Sequence, residues 1–431
     1  MKKIYFYSLI LLALVSLMLL FSCTTGGGAS SNLTGAITPD ELFLKVEAED
    51  FNLSSQPFEA LHCESGEICL DATGDGWVAF DMHVPVAGRY RSIIRLKVDS
   101  GNNIVCWIED YHDNPDNRTY NITGSMTAEG PTDGFTTLSR DGSPLNKGLH
   151  RMKIHFNHPA LIDWIGFEMM KPRKETPHVM KQEMQGKAWK LVWSDEFEGA
   201  SVDTSFWTYD LGDWGWGNNE LQYYTESDTA NARLESGNLV IEARKSGNAT
   251  GWTSARLTTR EKVSFLYGKI EFRAKVPSGR GNWAAGWMLG DDYVDELSWP
   301  YCGEIDILES VGFEMEEGTG NGKAHASAHS GAYYFKLGNQ PTGIIDVENM
   351  NNAYHLYVVE WTPEYIKAFV DDSLYITYDD TSTDLSWPFD KPQNIILNLA
   401  MGGGWGGAHG IDEKRTSQKM IIDYVRVYER K

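Results

Sequence analysis

Basic side chains are scarce in this sequence of 431 residues. Lys and Arg number 38 against 60 Asp and Glu, which gives a formal net charge of −22 at pH 7. Nucleic acids and sulfated or uronic polysaccharides are bound by basic surfaces. The deficit therefore argues against these anionic partners and favours a neutral one, although an acidic surface also serves solubility alone.

Long apolar runs are equally scarce. The one such run covers residues 4–21 and follows two lysines, a pattern typical of an export signal. A transmembrane helix is the alternative, because the run is nearly long enough to span a bilayer. The residues that end at Cys23 resemble a bacterial lipoprotein cleavage box.

We therefore predict a lipoprotein signal peptide over residues 1–23, with Cys23 as the lipidated residue. Residues 24–37 contain a Gly- and Ser-rich stretch and are predicted to be a flexible tether. The expected location is outside the cytoplasm, on a lipid anchor in a bacterial membrane. We favour the outer membrane, and the sequence leaves open which face displays the protein.

Cysteine is also rare, with five residues in all. Cys63 and Cys69 bracket a Gly-containing turn and are able to pair after export, with Cys106 as a competitor for either. We expect Cys302 to be a buried free thiol, because no histidine nearby suggests a nucleophile.

The length and composition predict an all-β protein with two β-sandwich domains. The chain is too long for one typical core. Its apolar runs are short, and it contains 42 Gly, 15 Trp and 20 Tyr. We place the domains at residues 38–170 and 190–431. Residues 171–189, which are charged and contain two prolines, are the predicted linker.

The chemistry is expected in the stretch Glu-Ile-Asp-Ile-Leu-Glu at residues 304–309. In a strand, Glu304 and Asp306 share one face and the isoleucines face the core. A β-bulge would return Glu309 to the polar face, so that three acids line one groove. Such crowding raises at least one pKa, and glycoside cleavage uses a protonated acid beside an ionised one. An exposed strand edge and a calcium site are the weaker alternatives.

This stretch resembles the active strand of glycoside hydrolase family 16, and in particular its laminarinase branch. The further motifs that carry the likeness are residues 193–197, 216–225, 254–259, 267–271, 395–403 and 423–428. The resemblance implies a concanavalin-like jelly roll of two antiparallel sheets with a long sugar-binding cleft. It also implies that Glu304 is the nucleophile, that Asp306 positions it, and that Glu309 is the acid and then the base.

The resemblance extends to binding residues. Trp283, Trp287 and Trp299 are expected to flank the scissile bond, with Trp405 beside them, because sugar rings stack on indoles. Core packing is the alternative for each tryptophan. The expected contacts to sugar hydroxyls are Asn218, Asn219, Arg256 and His329. A structural calcium ion is expected at Glu196, the Gly237 carbonyl and Asp423.

The first domain resembles a family 6 carbohydrate-binding module. In that family, a structural calcium site would use Glu47, Glu49 and Asp163, and satisfied surface acids are an equal alternative. The sugar-binding loops depart from the usual pattern, so sugar binding and a spacer role remain open.

Together these features predict a retaining endo-hydrolase of β-1,3 bonds in laminarin-like glucan. The alternatives are a mixed-linkage β-1,3/1,4-glucanase and a non-catalytic glycan-binding lipoprotein. We expect no cofactor for the chemistry, β-glucan as the partner, no nucleic acid, membrane contact only through the lipid anchor, and a monomer.

Overall fold

The computed structural model describes residues 42–63, 68–99, 101–110, 120–247 and 251–431. The predicted signal peptide, Cys23 and the tether lie outside these residues. Regular structure in the described part consists of 31 strands and three short 3-10 turns, at Ala48–Asp50, Gly312–Glu314 and Phe335–Leu337. None of its helical segments is both long and apolar enough to span a bilayer. The predicted all-β class is confirmed.

The first sandwich is built from two six-stranded antiparallel sheets. Its strands are β1 Phe43–Glu47, β2 Leu53–Ser54, β3 Glu59–His62, β4 Ile68–Ala72, β5 Gly76–Val84, β6 Gly88–Lys97, β7 Ile104–Asp110, β8 Tyr120–Asn121, β9 Met126–Ala128, β10 Thr136–Leu145, β11 Gly148–Phe156 and β12 Ala160–Pro172. One sheet has the order β10-β6-β12-β4-β3 with β1 on β12, and the other β2-β5-β11-β7-β8 with β9 on β7.

Strict alternation of apolar and polar residues places the core of this sandwich. In β6 every second residue is buried, beginning at Gly88. Its Tyr90 and Ile94 meet Phe80 and Phe156 of the opposite sheet in one apolar cluster. The period of two thus buries one face of each sheet and leaves the other to solvent.

The second sandwich is larger. Its strands are β13 His178–Lys181, β14 Trp189–Asp195, β15 Thr208–Tyr209, β16 Gln222–Tyr224, β17 Ala232–Leu234, β18 Leu239–Lys245, β19 Trp252–Ser254, β20 Arg256–Thr258, β21 Val263–Leu266, β22 Gly268–Lys275, β23 Asn282–Gly290, β24 Glu304–Val311, β25 Gly322–His329, β26 Thr342–Val347, β27 His355–Trp361, β28 Ile366–Val370, β29 Ser373–Tyr378, β30 Gln393–Met401 and β31 Ser417–Arg430.

Two sheets enclose the second core. The nine-stranded sheet has the order β13-β21-β30-β23-β24-β25-β26 with β20 on β30, and β15 on β20. The ten-stranded sheet has the order β16-β19-β18-β31-β22-β27-β28-β29, with β14 on β31 and β17 on β18. Ile305 and Leu397 of the first sheet belong to the same buried cluster as Phe272 and Tyr357 of the second. The outer face of β23, β24, β25 and β30 is therefore free to carry polar side chains.

The predicted linker, residues 171–189, contains regular structure. Strand β12 extends to Pro172, and β13 pairs in parallel with β21 of the second sandwich. Met180 of β13 packs against the second core. This segment is therefore partly built into the sheet that carries the acidic strand.

The cysteine pairing left open by the sequence is resolved in the structure. Cys63 and Cys69 form a disulfide across a sequence separation of 6 residues. Cys106 and Cys302 are buried free thiols. Burial raises the pKa of the Cys302 thiol well above its ordinary value, which suits an inert core residue.

Candidate active site

Strand β24 carries the three carboxyl groups and contains the predicted bulge. Its register with β23 shifts by one residue at Ile307. The extra residue lets Ile307 and Leu308 both enter the core. Glu304, Asp306 and Glu309 consequently line the same cleft.

The cleft has a volume of about 430 Å³. Its aromatic lining consists of Tyr120, Trp214, Trp216, Trp283, Trp287, Tyr293, Trp299, Phe335 and Trp405. Its polar lining, besides the three acids, includes Asn218, Glu220, Arg256, Glu296, His325, Ser327, His329, Lys336, Gln340, Thr342 and Asn398. Apolar ring faces combined with many hydrogen-bonding groups suit a polyhydroxylated ligand such as a sugar chain.

A histidine from the neighbouring strand faces the acids. His329 of β25 pairs in register with Glu304 of β24. Its Nε2 lies 3.3 Å from Asp306 Oδ2 and 3.9 Å from Glu304 Oε1. The imidazole is therefore close to the first two carboxyl groups, and it lowers the pKa values of Glu304 and Glu309 relative to burial alone.

Each outer glutamate accepts a hydrogen bond from an indole. Trp299 Nε1 donates to Glu304 Oε2 at 2.9 Å, and Trp283 Nε1 donates to Glu309 Oε1 at 3.0 Å. A donated N–H stabilises a carboxylate more than a carboxylic acid. The two tryptophans thus orient both carboxyl groups and lower their pKa values relative to burial alone.

Burial nevertheless raises the pKa of all three acids. It raises the pKa of Glu304 to about 8, with repulsion from Asp306 as the next cause, while His329, Trp299 and Arg256 oppose the rise. Burial likewise raises the pKa of Asp306 to about 8. The pKa of Glu309 is also raised well above its ordinary value, by burial and then by repulsion from Asp306 and Glu304, while His329 and Trp283 oppose the rise. The raised pKa favours the protonated form of Glu309, which suits the acid of a nucleophile and acid pair.

Comparison with known proteins identifies this domain. The model of the family described as "Glycosyl hydrolases family 16" matches residues 213–426. A protein named "Beta-glucanase" from Rhodothermus marinus is 47% identical over 249 residues, which cover 56% of this chain and 85% of that protein. The chain belongs to glycosyl hydrolase family 16.

Two further relatives agree with this membership. A "Glucan endo-1,3-beta-glucosidase" from Cryptopygus antarcticus is 38% identical over 257 residues, which cover 56% of this chain and 92% of that protein. The X-ray structure of the laminarinase from Rhodothermus marinus superimposes with a TM-score of 0.53 at 46% identity, and covers 56% of this chain and 98% of that one. The residues matched by the family model fall within the second sandwich, so that match does not identify the first.

Arg256 is one of the predicted family 16 binding residues, and the structure gives it a fixed position. Its guanidinium lies 4.8 Å from the Trp216 ring centroid and 4.7 Å from that of Trp287. Its Nε is 2.9 Å from Asp210 Oδ2. Asp210 is buried and also pairs with Arg260, so the pKa of this carboxyl is held below its ordinary value against the effect of burial. Arg256 is therefore an anchored donor.

Most predicted binding residues line the cleft. They are Asn218, Arg256, Trp283, Trp287, Trp299, His329 and Trp405. The exception is Asn219, whose left-handed backbone, with φ of 57°, belongs to the turn before β16. Asn219 is exposed and does not line the cleft, whereas its neighbour Asn218 does, and single-sequence reasoning could not separate the two.

Several cleft residues were missed from the sequence. Trp214, Trp216 and Glu220 lie within or beside the motif at residues 216–225, and their proximity to Asn218 was an available signal. Tyr293 and Glu296 lie in the loop before β24, and Asn398 accepts a hydrogen bond from Trp287 Nε1 at 2.8 Å. Asn398 lies within the motif at residues 395–403, which was an available signal. Nothing in the local pattern marks Tyr293 and Glu296, because tertiary packing brings them to the cleft.

The predicted calcium site in the family 16 domain is brought together only in part. Strand pairing places Glu196, Gly237 and Asp423 near the middle of β31. However, Glu196 makes a two-bond ion pair with Arg426, and Asp423 pairs with Arg273 at 2.6 Å. Each carboxylate already has a guanidinium partner, so a cation here would have to displace arginine contacts.

The predicted site in the first sandwich fits calcium better. Asp163 Oδ1 and Glu49 Oε2 are buried without a hydrogen-bond partner. Asp163 also pairs with Arg95, and Glu47 with Lys45 at 2.6 Å. Burial raises the pKa of Glu49, as expected for a carboxylate that lacks a cation.

Within the described residues, one group of three acidic, histidine or cysteine side chains brings its ligand atoms within 4.8 Å of one another. It consists of Glu304, Asp306 and His329. These residues lie in the family 16 cleft, and the sequence predicts hydrolytic roles for the two acids. We therefore do not assign a metal to them.

Proposed function

We propose that this protein is a retaining endo-β-1,3-glucanase that acts on laminarin-like glucan. The observation that carries the proposal is the pair of buried glutamates on one bulged strand, each held by an indole N–H, in a cleft with sugar-binding character. Relatives named as β-glucanase, endo-1,3-β-glucosidase and laminarinase support the linkage.

The reaction follows from the two glutamates. Glu304 attacks the anomeric carbon while the glycosidic C–O bond breaks, and Glu309 gives its proton to the departing oxygen. A water molecule then attacks the glycosyl ester and loses its proton to Glu309, which restores both groups. Asp306 lies between them, 3.3 Å from His329. Its negative charge raises the pKa of Glu309 and so favours the protonated form of that acid.

A reducing-sugar assay on laminarin tests these roles. Glu304→Gln and Glu309→Gln should each lower activity by at least about 1,000-fold on natural glucan, because each removes a group needed in the transition state. Glu271→Gln is the matched control, since Glu271 is a buried glutamate on β22 that pairs with Lys269 outside the cleft. NMR of the first product should show retention at the anomeric carbon, and inversion would refute the mechanism.

Mixed-linkage activity is the second candidate. Its support is a solved relative described as a non-specific endo-β-1,3(4)-glucanase, which is 36% identical with a TM-score of 0.52. Product profiles on laminarin, lichenan and barley glucan separate the two candidates. If the wild-type protein releases nothing from any of them, a glycan-binding role replaces the enzymatic one.

The first sandwich is proposed to be a family 6-like carbohydrate-binding module, and the protein to be a monomeric lipoprotein of the outer membrane. The module is supported by its two-sheet sandwich architecture. Affinity electrophoresis of the Glu304→Gln variant in glucan gels tests binding, and globomycin-sensitive processing at Cys23 tests the anchor. Size-exclusion chromatography tests the monomer.

Structural calcium is proposed most strongly for the first sandwich. The two unpartnered buried oxygens of Glu49 and Asp163 support it, since oxygen ligands suit this ion. Calcium should raise the Tm of chelator-treated protein, and Asp163→Asn should remove that rise. The Glu196, Gly237 and Asp423 set is the weaker proposal, because of its arginine partners.

A further inference from the structure

A residue of the first sandwich lies in the catalytic cleft. Tyr120 of β8 lines the cleft together with Trp299 and Lys336 of the family 16 domain. Its hydroxyl donates to the Trp299 carbonyl oxygen at 3.4 Å, and Lys336 Nζ lies 3.8 Å from the centre of its ring. Tyr120 also belongs to a small buried cluster with Leu289 and Tyr293 of the second sandwich. Trp299 is the residue that donates to the Glu304 carboxylate.

Several further contacts join the two sandwiches. The main-chain N–H of Asp213 donates to the Asp141 carbonyl at 3.0 Å, and the Asp141 N–H donates to Asp213 Oδ1 at 2.9 Å. Tyr223 adds a hydrogen bond to Asp141 Oδ2 at 2.9 Å. A Cβ atom at Gly142 would lie 2.1 Å from the Leu211 carbonyl oxygen, so the backbones touch. Such contacts hold Tyr120 in place relative to the cleft.

Arg89 supplies a second link from the first sandwich. Its guanidinium lies 3.5 Å from Asp210, the carboxylate that also holds Arg256. It lies 5.7 Å from the Trp216 ring and 5.9 Å from the Tyr293 ring, both of which line the cleft. The first sandwich thus supports the cleft wall from behind as well as contributing to its surface.

We propose that the first sandwich completes a glucosyl subsite of the catalytic cleft, with Tyr120 as a substrate-binding residue. The part of the Tyr120 ring that reaches the cleft would contact the apolar face of a sugar unit. The hydroxyls of that sugar unit would meet the Glu296 carboxylate and Lys336, which covers one face of the Tyr120 ring. Tyr293 donates to Glu296 at 2.6 Å and holds it at the cleft wall. This inference rests on the proposed glucanase function and adds a subsite that the family 16 domain does not build alone.

The full-length protein tests the shared subsite. Tyr120→Ala should raise KM for laminari-oligosaccharides by roughly 3- to 10-fold, with kcat changed less than twofold. This increase in KM corresponds to the free energy of one lost aromatic contact with the sugar. The distribution of product lengths should shift, since the removed contact lies in one subsite. Tyr120→Phe keeps the ring and should restore both to near wild-type values. Tyr223→Ala is the matched control, because it removes a tyrosine from the same interface outside the cleft.

Two results would overturn the inference. One is unchanged KM and product lengths in a folded Tyr120→Ala protein whose wild type is active on laminarin. The other is an equal shift in Tyr223→Ala, because the effect would then come from domain docking. Absence of wild-type activity on every β-glucan would instead refute the proposed function.

Discussion

The indole donors to the two glutamates allow a paired test of the mechanism. Trp299→Phe removes the N–H that reaches Glu304 at 2.9 Å, and Trp283→Phe removes the one that reaches Glu309 at 3.0 Å. Both variants keep an aromatic ring in the cleft. Because each N–H favours the ionised carboxylate, its loss raises the pKa of the glutamate that accepted it.

The size of the effect follows from the strength of the bond. A hydrogen bond to a charged group contributes about 1.5–3 kcal/mol, and one pKa unit corresponds to about 1.4 kcal/mol. We therefore expect each pKa to rise by about one to two units. If the pKa of the nucleophile rises, it becomes ionised only at higher pH, so activity begins at higher pH. If the pKa of the acid rises, it keeps its proton to higher pH, so activity also persists to higher pH.

The assay is kcat/KM on a soluble glucan across the pH range. In Trp299→Phe the acidic limb should move to higher pH and narrow the profile, and in Trp283→Phe the basic limb should move to higher pH and widen it. Trp207→Phe is the control, since its indole donates to Asp195 at 2.8 Å outside the cleft. If both cleft variants move the same limb, or neither limb moves, the assigned roles of the two glutamates are wrong.

Three further outcomes concern stability. The folded state keeps a proton on Glu304 up to about pH 8, whereas the ordinary pKa is 4.5, so stability falls as pH rises through this window. Glu304→Gln should therefore raise Tm more at pH 8 than at pH 5 by calorimetry. Asp210→Asn leaves three guanidiniums without their anion. Urea unfolding at pH 7 should show a free energy of unfolding that is lower by about 3–5 kcal/mol. Because the pKa of Asp210 is lowered, this loss should shrink as pH falls through the acid range. The Cys63–Cys69 disulfide closes a short loop, so its reduction should lower the free energy of unfolding by about 2 kcal/mol.

The structure of the acidic strand was predictable from its local sequence pattern. The spacing of Glu304, Asp306 and Glu309 around apolar residues demanded a bulge, and the register shift at Ile307 confirms it. The roles of the cleft tryptophans were only partly predictable from the sequence. Trp283 and Trp299 were expected to stack on sugar, and sequence gave no sign that their N–H groups reach the glutamates. That contact depends on how β23 and the loop before β24 pack.

The buried charges were beyond local pattern altogether. Asp210 meets Arg256 of β20, Arg260 from the turn after that strand, and Arg89 from the other sandwich. Each is an ordinary polar residue in its own segment. These four residues become one buried cluster only when segments that are far apart in the sequence pack against each other.

The amino-acid sequence alone predicted the all-β class and the acidic strand with its bulge, because these depend on periodicity and composition within short segments. The family resemblance of its motifs added seven binding residues that line the cleft. The tertiary structure decided which groups hold the glutamates, where Arg256 is anchored, and that Tyr120 enters the cleft from the first sandwich. These features arise from contacts between residues far apart in the chain, whose geometry is set only when both sandwiches are folded and joined.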